Sequence, residues 1–201
     1  MSLFTRPTVV IFAKAPIPGT VKTRLAKTIG EEAALSLYET LLRRTIETAS
    51  NPRWDTVIAA TPDEATKDAC YWPSGTPRIP QGEGDLGSRM LRLLEHAKPN
   101  APVLVVGSDI PGLSGWQIET AFASLAASPL VFGPAEDGGF YLVGAADQPP
   151  PAIFRNVEWS TETTLRQVLD NVPAGSAGLI DRLEDLDDAE SLERHRKAGR
   201  L

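Results

Sequence analysis

Apolar and polar residues follow one another along the chain in blocks that predict strands and helices in turn. Short apolar runs rich in β-branched residues predict buried strands at about 8–13, 56–60, 103–107 and 130–133. Stretches with apolar residues three and four positions apart predict helices at about 31–49, 86–97 and 115–126. A polar, proline-containing stretch over 62–84 holds one short strand candidate near 78–81.

The last third of the chain adds an exception to this alternation. The turn at 136–139 leads into an apolar run at 140–144, a hairpin-like return that predicts one antiparallel strand. Ser160 is expected to cap a helix over about 161–171, and a last strand is expected at 179–180. Asp187 and Glu190 resemble a capping-box pair for an acidic final helix.

This order predicts a single α/β domain over residues 1–201, with helices on a mixed, mainly parallel sheet. In open sheets of this kind, ligands bind outside the carboxyl ends of the strands. That rule selects three loops for attention, at 14–24, 107–112 and 134–139.

Composition narrows the classes of protein that fit this fold. Lys and Arg number 20 against 26 Asp and Glu, and the resulting net charge of -6 argues against nucleic acid or a membrane surface as partner. One cysteine, Cys70, and two histidines exclude a disulfide and any Cys- or His-rich metal site. No run approaches the roughly 18 apolar residues of a membrane span, and no signal-peptide pattern precedes the first strand. We therefore expect a cytoplasmic protein.

The loop at 14–24 places three cations directly after the first strand. Gly19 lets the backbone approach an anion closely, while Lys14, Lys22 and Arg24 can pair with phosphoryl oxygens. The order of glycine and lysine differs from that of a P-loop. The loop therefore predicts a nucleotide phosphate site, and a solvated surface loop is the alternative.

Asp109 follows the most apolar strand, at the same edge as the cationic loop. Mg²⁺ is usually held by one or two carboxylates together with substrate phosphates, so Asp109 predicts a site for Mg²⁺ or Mn²⁺. The alternative is an Asx-turn in which Asp109 caps the backbone ahead of Pro111. Asp187 is the candidate for a second metal carboxylate, and helix capping is its alternative.

The turn formed by Asp137, Gly138 and Gly139 has two interpretations. Two glycines can open room for an acceptor substrate while Asp137 orients a hydroxyl group or accepts its proton. The alternative is a hairpin turn without further role, because Asp-Gly is a strong hairpin signal.

Other loop residues are also candidates for ligand contact. Glu83 and Asp85 are placed where they could contact a nucleotide base or ribose, with a solvated loop as the alternative. Trp159 is placed where it could border an acceptor pocket, with helix capping by its neighbours as the alternative. His96 and His195 lie away from the candidate loops, and we assign them no catalytic role.

Three segments together resemble a known family: FAKAPIPGTVKTRL at 12–25, GSDIPGL at 107–113 and GPAEDGGFYL at 133–142. They resemble the DUF2064 group, also described as radical-SAM/selenodomain-associated transferase 1 or glycosyltransferase-like. The similarity extends to GDLGSRM at 84–90 and WST at 159–161, and so to nearly the whole chain. That group is placed in the GT-A, or nucleotide-diphospho-sugar transferase, superfamily and is similar to phospholactate guanylyltransferases.

The resemblance implies a Rossmann-like α/β/α sandwich and a role for each candidate residue. Lys22 and Arg24 would bind nucleotide phosphates, Asp109 would match the metal-binding carboxylate, and the 137–139 turn would border the acceptor. Asp187 would match the second Asp of an Asp-x-Asp-Thr-Pro-Glu-Asp-Leu element, from which this chain departs at the next residues.

The expected ligands are a nucleoside triphosphate or a nucleotide sugar and a small-molecule acceptor that offers a phosphate or a hydroxyl group. A single aspartate stands before Pro111 where many GT-A glycosyltransferases carry Asp-x-Asp. With three cations in the first loop, this departure favours nucleotidyl transfer. Glycosyl transfer and a non-catalytic nucleotide-binding scaffold are the alternatives.

Overall fold

Seven strands form one sheet in the computed structural model, which describes residues 3–201. The strands are β1 (Thr8–Lys14), β2 (Asp55–Thr61), β3 (Arg78–Pro80), β4 (Val103–Gly107), β5 (Leu130–Pro134), β6 (Phe140–Ala145) and β7 (Ala177–Leu179). Their order across the sheet is β3-β2-β1-β4-β6-β5-β7, and of these seven β6 alone runs antiparallel to its neighbours. The predicted mixed, mainly parallel sheet is therefore confirmed, including the return after the 136–139 turn.

Helices cover both faces of this sheet. Residues 3–201 form α1 (Thr23–Ile29), α2 (Glu31–Ala49), α3 (Leu86–Leu94), α4 (Gly115–Ser124), α5 (Thr164–Asp170) and α6 (Ala189–Lys197). Side chains alternate between the faces of a strand, so Val9 and Ile11 of β1 pack with α2 and α4, whereas Val10 packs with α3 and α5. The α/β/α sandwich is confirmed. None of the helices in this part of the chain combines the length and apolar character needed to cross a membrane.

Three short elements differ from the sequence prediction, and one of them is β7, which covers Ala177–Leu179 where a strand at 179–180 was expected. The sequence predicts a loop up to residue 24 and a first helix from 31, whereas α1 forms at Thr23–Ile29. At seven residues, α1 is too short to show a clear helical period. The helix expected over 161–171 begins only at Thr164, so its N-cap residue is Thr163 and not Ser160, which has a left-handed backbone with φ 60°.

The cap of α6 also differs from the prediction. Asp188 and Ser191 form its capping box, in which the side-chain oxygen of each residue accepts from the backbone N–H of the other. The expected pair of Asp187 and Glu190 does not form this cap. The carboxylate of Asp187 is therefore available for contacts outside the helix.

The segment 183–187 runs across the carboxyl ends of β5 and β4. The Leu183 N–H donates to the Pro134 carbonyl at 3.1 Å, and the Leu186 N–H donates to the Asp109 carbonyl at 3.0 Å. The fully buried side chain of Leu186 lies in a cluster with Leu25, Leu41 and Leu192. This Leu186 cluster fixes the segment beside the loop that follows β1.

Candidate active site

Two adjoining pockets open at the carboxyl edge of the sheet. The first, which we call the cationic pocket, has a volume of about 440 Å³, and its charged lining residues are Lys14, Lys22, Arg24, Arg89, Asp109 and Asp187. The second, the aromatic pocket, has a volume of about 210 Å³ and is lined in part by Phe140, Trp159, Asp109, Asp137 and Asp185. Among residues 3–201, Asp109 is the one charged residue that lines both pockets, so the cationic and the aromatic pockets adjoin at this residue.

Lys22 bridges two carboxylates that are far apart in the sequence. Its Nζ lies 2.7 Å from Asp109 Oδ2 and 3.0 Å from Asp187 Oδ1. The lysine side chain is 4% exposed, whereas Asp109 and Asp187 are 31% and 49% exposed. Burial opposes the charged form of Lys22, but the two carboxylates outweigh burial and raise the pKa of Lys22. The structure thus brings together three residues that the sequence presented separately.

The backbone at Lys22 is held in an unusual conformation. Its φ of 48° and ψ of 40° are left-handed, and α1 begins at the next residue. Such a conformation costs a residue other than glycine about 1–2 kcal/mol. Val21 and Leu25 on either side are buried and anchor this turn. The fold therefore fixes where the ammonium group of Lys22 can reach.

The paired carboxylates of Asp109 and Asp187 suit a hard divalent cation. Among residues 3–201, no three Asp, Glu, His or Cys side chains converge as a metal site made by protein alone. Mg²⁺, however, is commonly held by one or two carboxylates, with substrate phosphates and water completing its shell. Two carboxylates directed at one ammonium fit that kind of site, in which Asp109 and Asp187 would hold Mg²⁺ or Mn²⁺.

Replacing Lys22 by Met should increase the affinity of the nucleotide-free protein for Mn²⁺ by about tenfold, because the ammonium no longer neutralises the two carboxylates. Mn²⁺ titration followed by electron paramagnetic resonance measures this affinity. Lys14→Met is the matched control, because Lys14 is exposed and forms no ion pair among residues 3–201. Equal Mn²⁺ affinity in Lys22→Met and wild type would contradict a shared cation position.

Asp185 is a third carboxylate at this edge, and sequence reasoning gave it no role. It lines the aromatic pocket. Burial, followed by the charges of Asp187, Asp109 and Asp137, raises the pKa of Asp185 to about 6. The only sequence signal was its place two residues before Asp187, with buried Leu186 between them.

Tyr38 and Gln81 line the cationic pocket and were also missed as site residues. The Tyr38 hydroxyl donates to the Lys14 carbonyl at 2.7 Å, and burial raises the pKa of Tyr38 to about 12. Gln81 is buried, and its Oε1 accepts from Arg89 Nη1 at 2.8 Å. Tyr38 lies on the apolar face of α2, where it is indistinguishable from a core residue in the sequence.

Several predicted nucleotide contacts have different surroundings from those expected. Lys14, Lys22 and Arg24 line the cationic pocket, but Gly19, Glu83 and Asp85 do not. Asp85 caps α3, because its carboxylate accepts from the Ser88 N–H at 2.7 Å. The Glu83 carbonyl accepts from Arg92 at 2.7 Å. The structure therefore places the phosphate-type cations together without bringing the two acidic residues to them.

The 137–139 turn contributes to the aromatic pocket through two of its three residues. Asp137 and Gly139 line the pocket, and Asp137 Oδ1 accepts from the Gly139 N–H at 2.9 Å. Gly138 has a φ of 87°, and a Cβ there would overlap the backbone of Glu162. The structure thus gives Gly138 a packing role. Trp159 lines the aromatic pocket, and its contact with an acceptor stays a prediction.

Gly138→Ala should destabilise the protein by about 1–3 kcal/mol, because a left-handed position and a close backbone contact both oppose a side chain. Gly175→Ala is the matched control, since Gly175 has a φ of 79° with nothing within 4 Å. Gly175→Ala should lose less stability than Gly138→Ala, because only the conformational cost applies at Gly175. Urea unfolding of both variants measures the difference, and equal losses would rule out the contact with Glu162 as a cause.

The strand order of the sheet, with a cationic loop after β1 and Asp109 after β4, defines the fold class of the protein. It has the GT-A-like fold of the nucleotide-diphospho-sugar transferases. The family described as "Uncharacterized protein conserved in bacteria (DUF2064)" matches residues 44–161, and the chain belongs to this family. The resemblance carried by the three sequence segments is confirmed.

Solved structures with this fold span several transferases. A protein from Desulfovibrio desulfuricans G20, provisionally named a nucleotide-diphospho-sugar transferase, is 25% identical with a TM-score of 0.85, over 96% of this chain and 87% of its own. CMP:2-keto-3-deoxy-manno-octonic acid synthetase complexed with CTP is 13% identical with a TM-score of 0.53, over 98% of this chain and 100% of its own. Glucosyl-3-phosphoglycerate synthase from Mycobacterium tuberculosis, solved with Mn²⁺ and UDP, is 10% identical with a TM-score of 0.50, over 90% of this chain and 70% of its own. The search of curated proteins found no match.

Proposed function

We propose that the protein transfers a nucleotidyl group from a nucleoside triphosphate to a small acceptor, with Mg²⁺ or Mn²⁺ as cofactor. The observation that carries this proposal is the meeting of the two pockets at Asp109. A donor in the cationic pocket and an acceptor in the aromatic pocket would face each other across that carboxylate.

The charge of the cationic pocket supports a triphosphate donor. Four cations line it against two carboxylates, and both carboxylates are already paired with Lys22. Lys14, Arg24 and Arg89 form no ion pair in the part of the chain that the structure describes. A triphosphate carries more negative charge than a nucleotide-diphospho-sugar and so makes fuller use of these cations. The fold neighbour complexed with CTP is consistent with this donor class.

A metal held by Asp109 and Asp187 would supply charge neutralisation on the donor phosphates. Lys22 and Arg24 then stabilise the negative charge that develops on the leaving group. The acceptor oxygen forms a bond to the α-phosphorus as the bond from that phosphorus to the bridging oxygen breaks, and pyrophosphate leaves with the electron pair. Asp137 accepts the proton of the acceptor hydroxyl.

Glycosyl transfer is the second candidate, favoured by a different observation. The 25% identical neighbour has a provisional nucleotide-diphospho-sugar transferase name. In that reaction the acceptor oxygen would bond to the sugar carbon, and a nucleoside diphosphate would leave with the electron pair. The same cations and carboxylates would bind the diphosphate, so the donor has to be distinguished by experiment.

A thermal-shift panel of four nucleoside triphosphates and common nucleotide sugars, with and without Mg²⁺ or Mn²⁺, tests the donor. A ligand at about 100 times its dissociation constant stabilises the protein by roughly 2.7 kcal/mol. We expect a metal-dependent shift with one triphosphate, followed by pyrophosphate release when acceptors are added. A shift with a nucleotide sugar alone would refute nucleotidyl transfer and support glycosyl transfer. No shift with any donor would refute both and leave the scaffold alternative.

A further inference from the structure

The aromatic pocket contains carboxylates and no basic side chain. Asp109, Asp137 and Asp185 line it, and within residues 3–201 its lining includes no Lys, Arg or His. The cations of the site line the neighbouring cationic pocket instead. Asp109 is paired with Lys22, but Asp137 and Asp185 form no ion pair among residues 3–201, so a phosphate or carboxylate group in the aromatic pocket would meet their like charges.

The remaining walls of the aromatic pocket are apolar and ring-lined. Phe140 and Trp159 lie with their ring centroids 6.3 Å apart at 64°, and Leu86 and Met90 of α3 complete this side. Flat aromatic walls pack well against a flat apolar ligand body. The pocket thus combines apolar walls with hydrogen-bond acceptors that bear negative charge.

The position of the Trp159 ring depends on a glycine in α3. A Cβ at Gly87 would lie 2.7 Å from Cζ2 of Trp159 and 2.7 Å from Cβ of Phe154. These distances are shorter than real Cβ contacts, so the indole can pack here only because position 87 has no side chain. Gly87 therefore makes room for the aromatic wall of the pocket.

The size of the aromatic pocket limits its occupant. A volume of about 210 Å³ lies below the roughly 300–1,000 Å³ of pockets for drug-sized ligands. The pocket shares Phe12, Leu86, Gly107 and Asp109 with the cationic pocket. A small molecule bound here would therefore have one end at the boundary between the two pockets.

From these features we infer that the acceptor carries no negative charge and is a small hydroxyl compound with a flat apolar body. Its hydroxyl group donates to one of the pocket carboxylates, and its body packs between Phe140, Trp159 and Met90. This inference deepens the proposed function and rests on it. It excludes phosphorylated and carboxylated acceptors.

Three probes of matched shape test the charge preference without any donor: 2-phenylethanol, 2-phenylethylamine and phenylacetate. Ligand-observed NMR titration of the full-length protein measures their binding. We expect 2-phenylethanol to bind at least about tenfold more tightly than phenylacetate, since phenylacetate brings its charge close to the carboxylates of Asp137 and Asp185. Equal or tighter binding of phenylacetate overturns the inference. If only the amine binds, the acceptor is a cation and the hydroxyl assignment is overturned.

Two variants locate this binding. Trp159→Ala should weaken 2-phenylethanol binding by about tenfold through lost apolar contact, whereas Trp116→Ala, at a 65% exposed tryptophan of α4, should not change it. Asp137→Asn keeps an oxygen for the Gly139 N–H and should narrow the preference for 2-phenylethanol over phenylacetate by about three- to tenfold. An unchanged preference in Asp137→Asn overturns the inference even if Trp159→Ala fails to fold.

The donor panel tests the transfer reaction and the probe titration tests the charge preference of the aromatic pocket, so either claim can be refuted without the other. If the donor panel gives no shift but the probe preference is observed, the transfer reaction is refuted and the charge selectivity of the pocket stands. If a donor binds and turnover occurs with a phosphorylated acceptor, the proposed function stands and the acceptor inference is overturned.

Discussion

Asp109→Asn should lower metal-dependent turnover by about 10²–10³-fold, the usual loss when one group that stabilises transition-state charge is removed. Asp109 is the one charged residue among the four described residues that line both pockets, and it is one of two carboxylates at the Lys22 ammonium. Asn has nearly the same shape, and the Asp109 backbone carbonyl still accepts from the Leu186 N–H. The fold should therefore be retained while the charge is lost.

Asp188→Asn is the control for this variant. Asp188 follows the same acidic segment but caps α6 through the Ser191 N–H at 2.9 Å, and asparagine caps helices almost as well. Turnover of Asp188→Asn should stay within about twofold of wild type, because this substitution leaves both pockets unchanged. If Asp109→Asn retained turnover within tenfold of wild type, Asp109 would not be the metal carboxylate of the reaction.

Leu186→Ala should destabilise the protein by about 2–5 kcal/mol, as expected for truncation of a fully buried leucine. Leu186 is 0% exposed within the Leu186 cluster. At about 2–4 °C per kcal/mol for a chain of this size, the melting temperature should fall by about 4–20 °C. Differential scanning calorimetry, with urea unfolding as a second probe, measures both quantities.

Leu186→Ala should also disturb the positions of the Asp185 and Asp187 carboxylates in the site, because Leu186 lies between these two residues. Leu179→Ala is the control, since Leu179 is 56% exposed in β7 and its truncation should change stability by less than about 0.5 kcal/mol. A loss below about 1 kcal/mol for Leu186→Ala would show that the cluster does not hold the segment 183–187 in place.

The sheet and most helices could be predicted from the sequence because their patterns are local. The run at 103–107 and the period of α2 coincide with the observed bounds of β4 and α2. The antiparallel return to β6 also followed from a local turn signal at 136–139. Short elements such as α1 were missed, because seven residues carry too little period to be recognised.

The site was predicted less completely because its assembly is not local. The cations after β1 and Asp109 after β4 could be placed at one edge, since parallel strands end together. The contact of Asp187 with Lys22 spans 165 positions and depends on the path of segment 183–187 across the sheet. The spacing of residues in the sequence carries no information about the path of this segment, and for the same reason the sequence did not identify Asp185.

Because β6 runs antiparallel to its neighbours, different parts of the chain build the two pockets. Because β5 returns through β6 at the carboxyl edge, the turn at 135–139 and the start of β6 reach the aromatic pocket directly. The cationic pocket is built from residues 12–109 together with Asp187, whereas much of the aromatic wall comes from 135–164. Substitutions in 135–164 can therefore diversify one ligand preference while the other is inherited unchanged, so the two halves can evolve as separate modules.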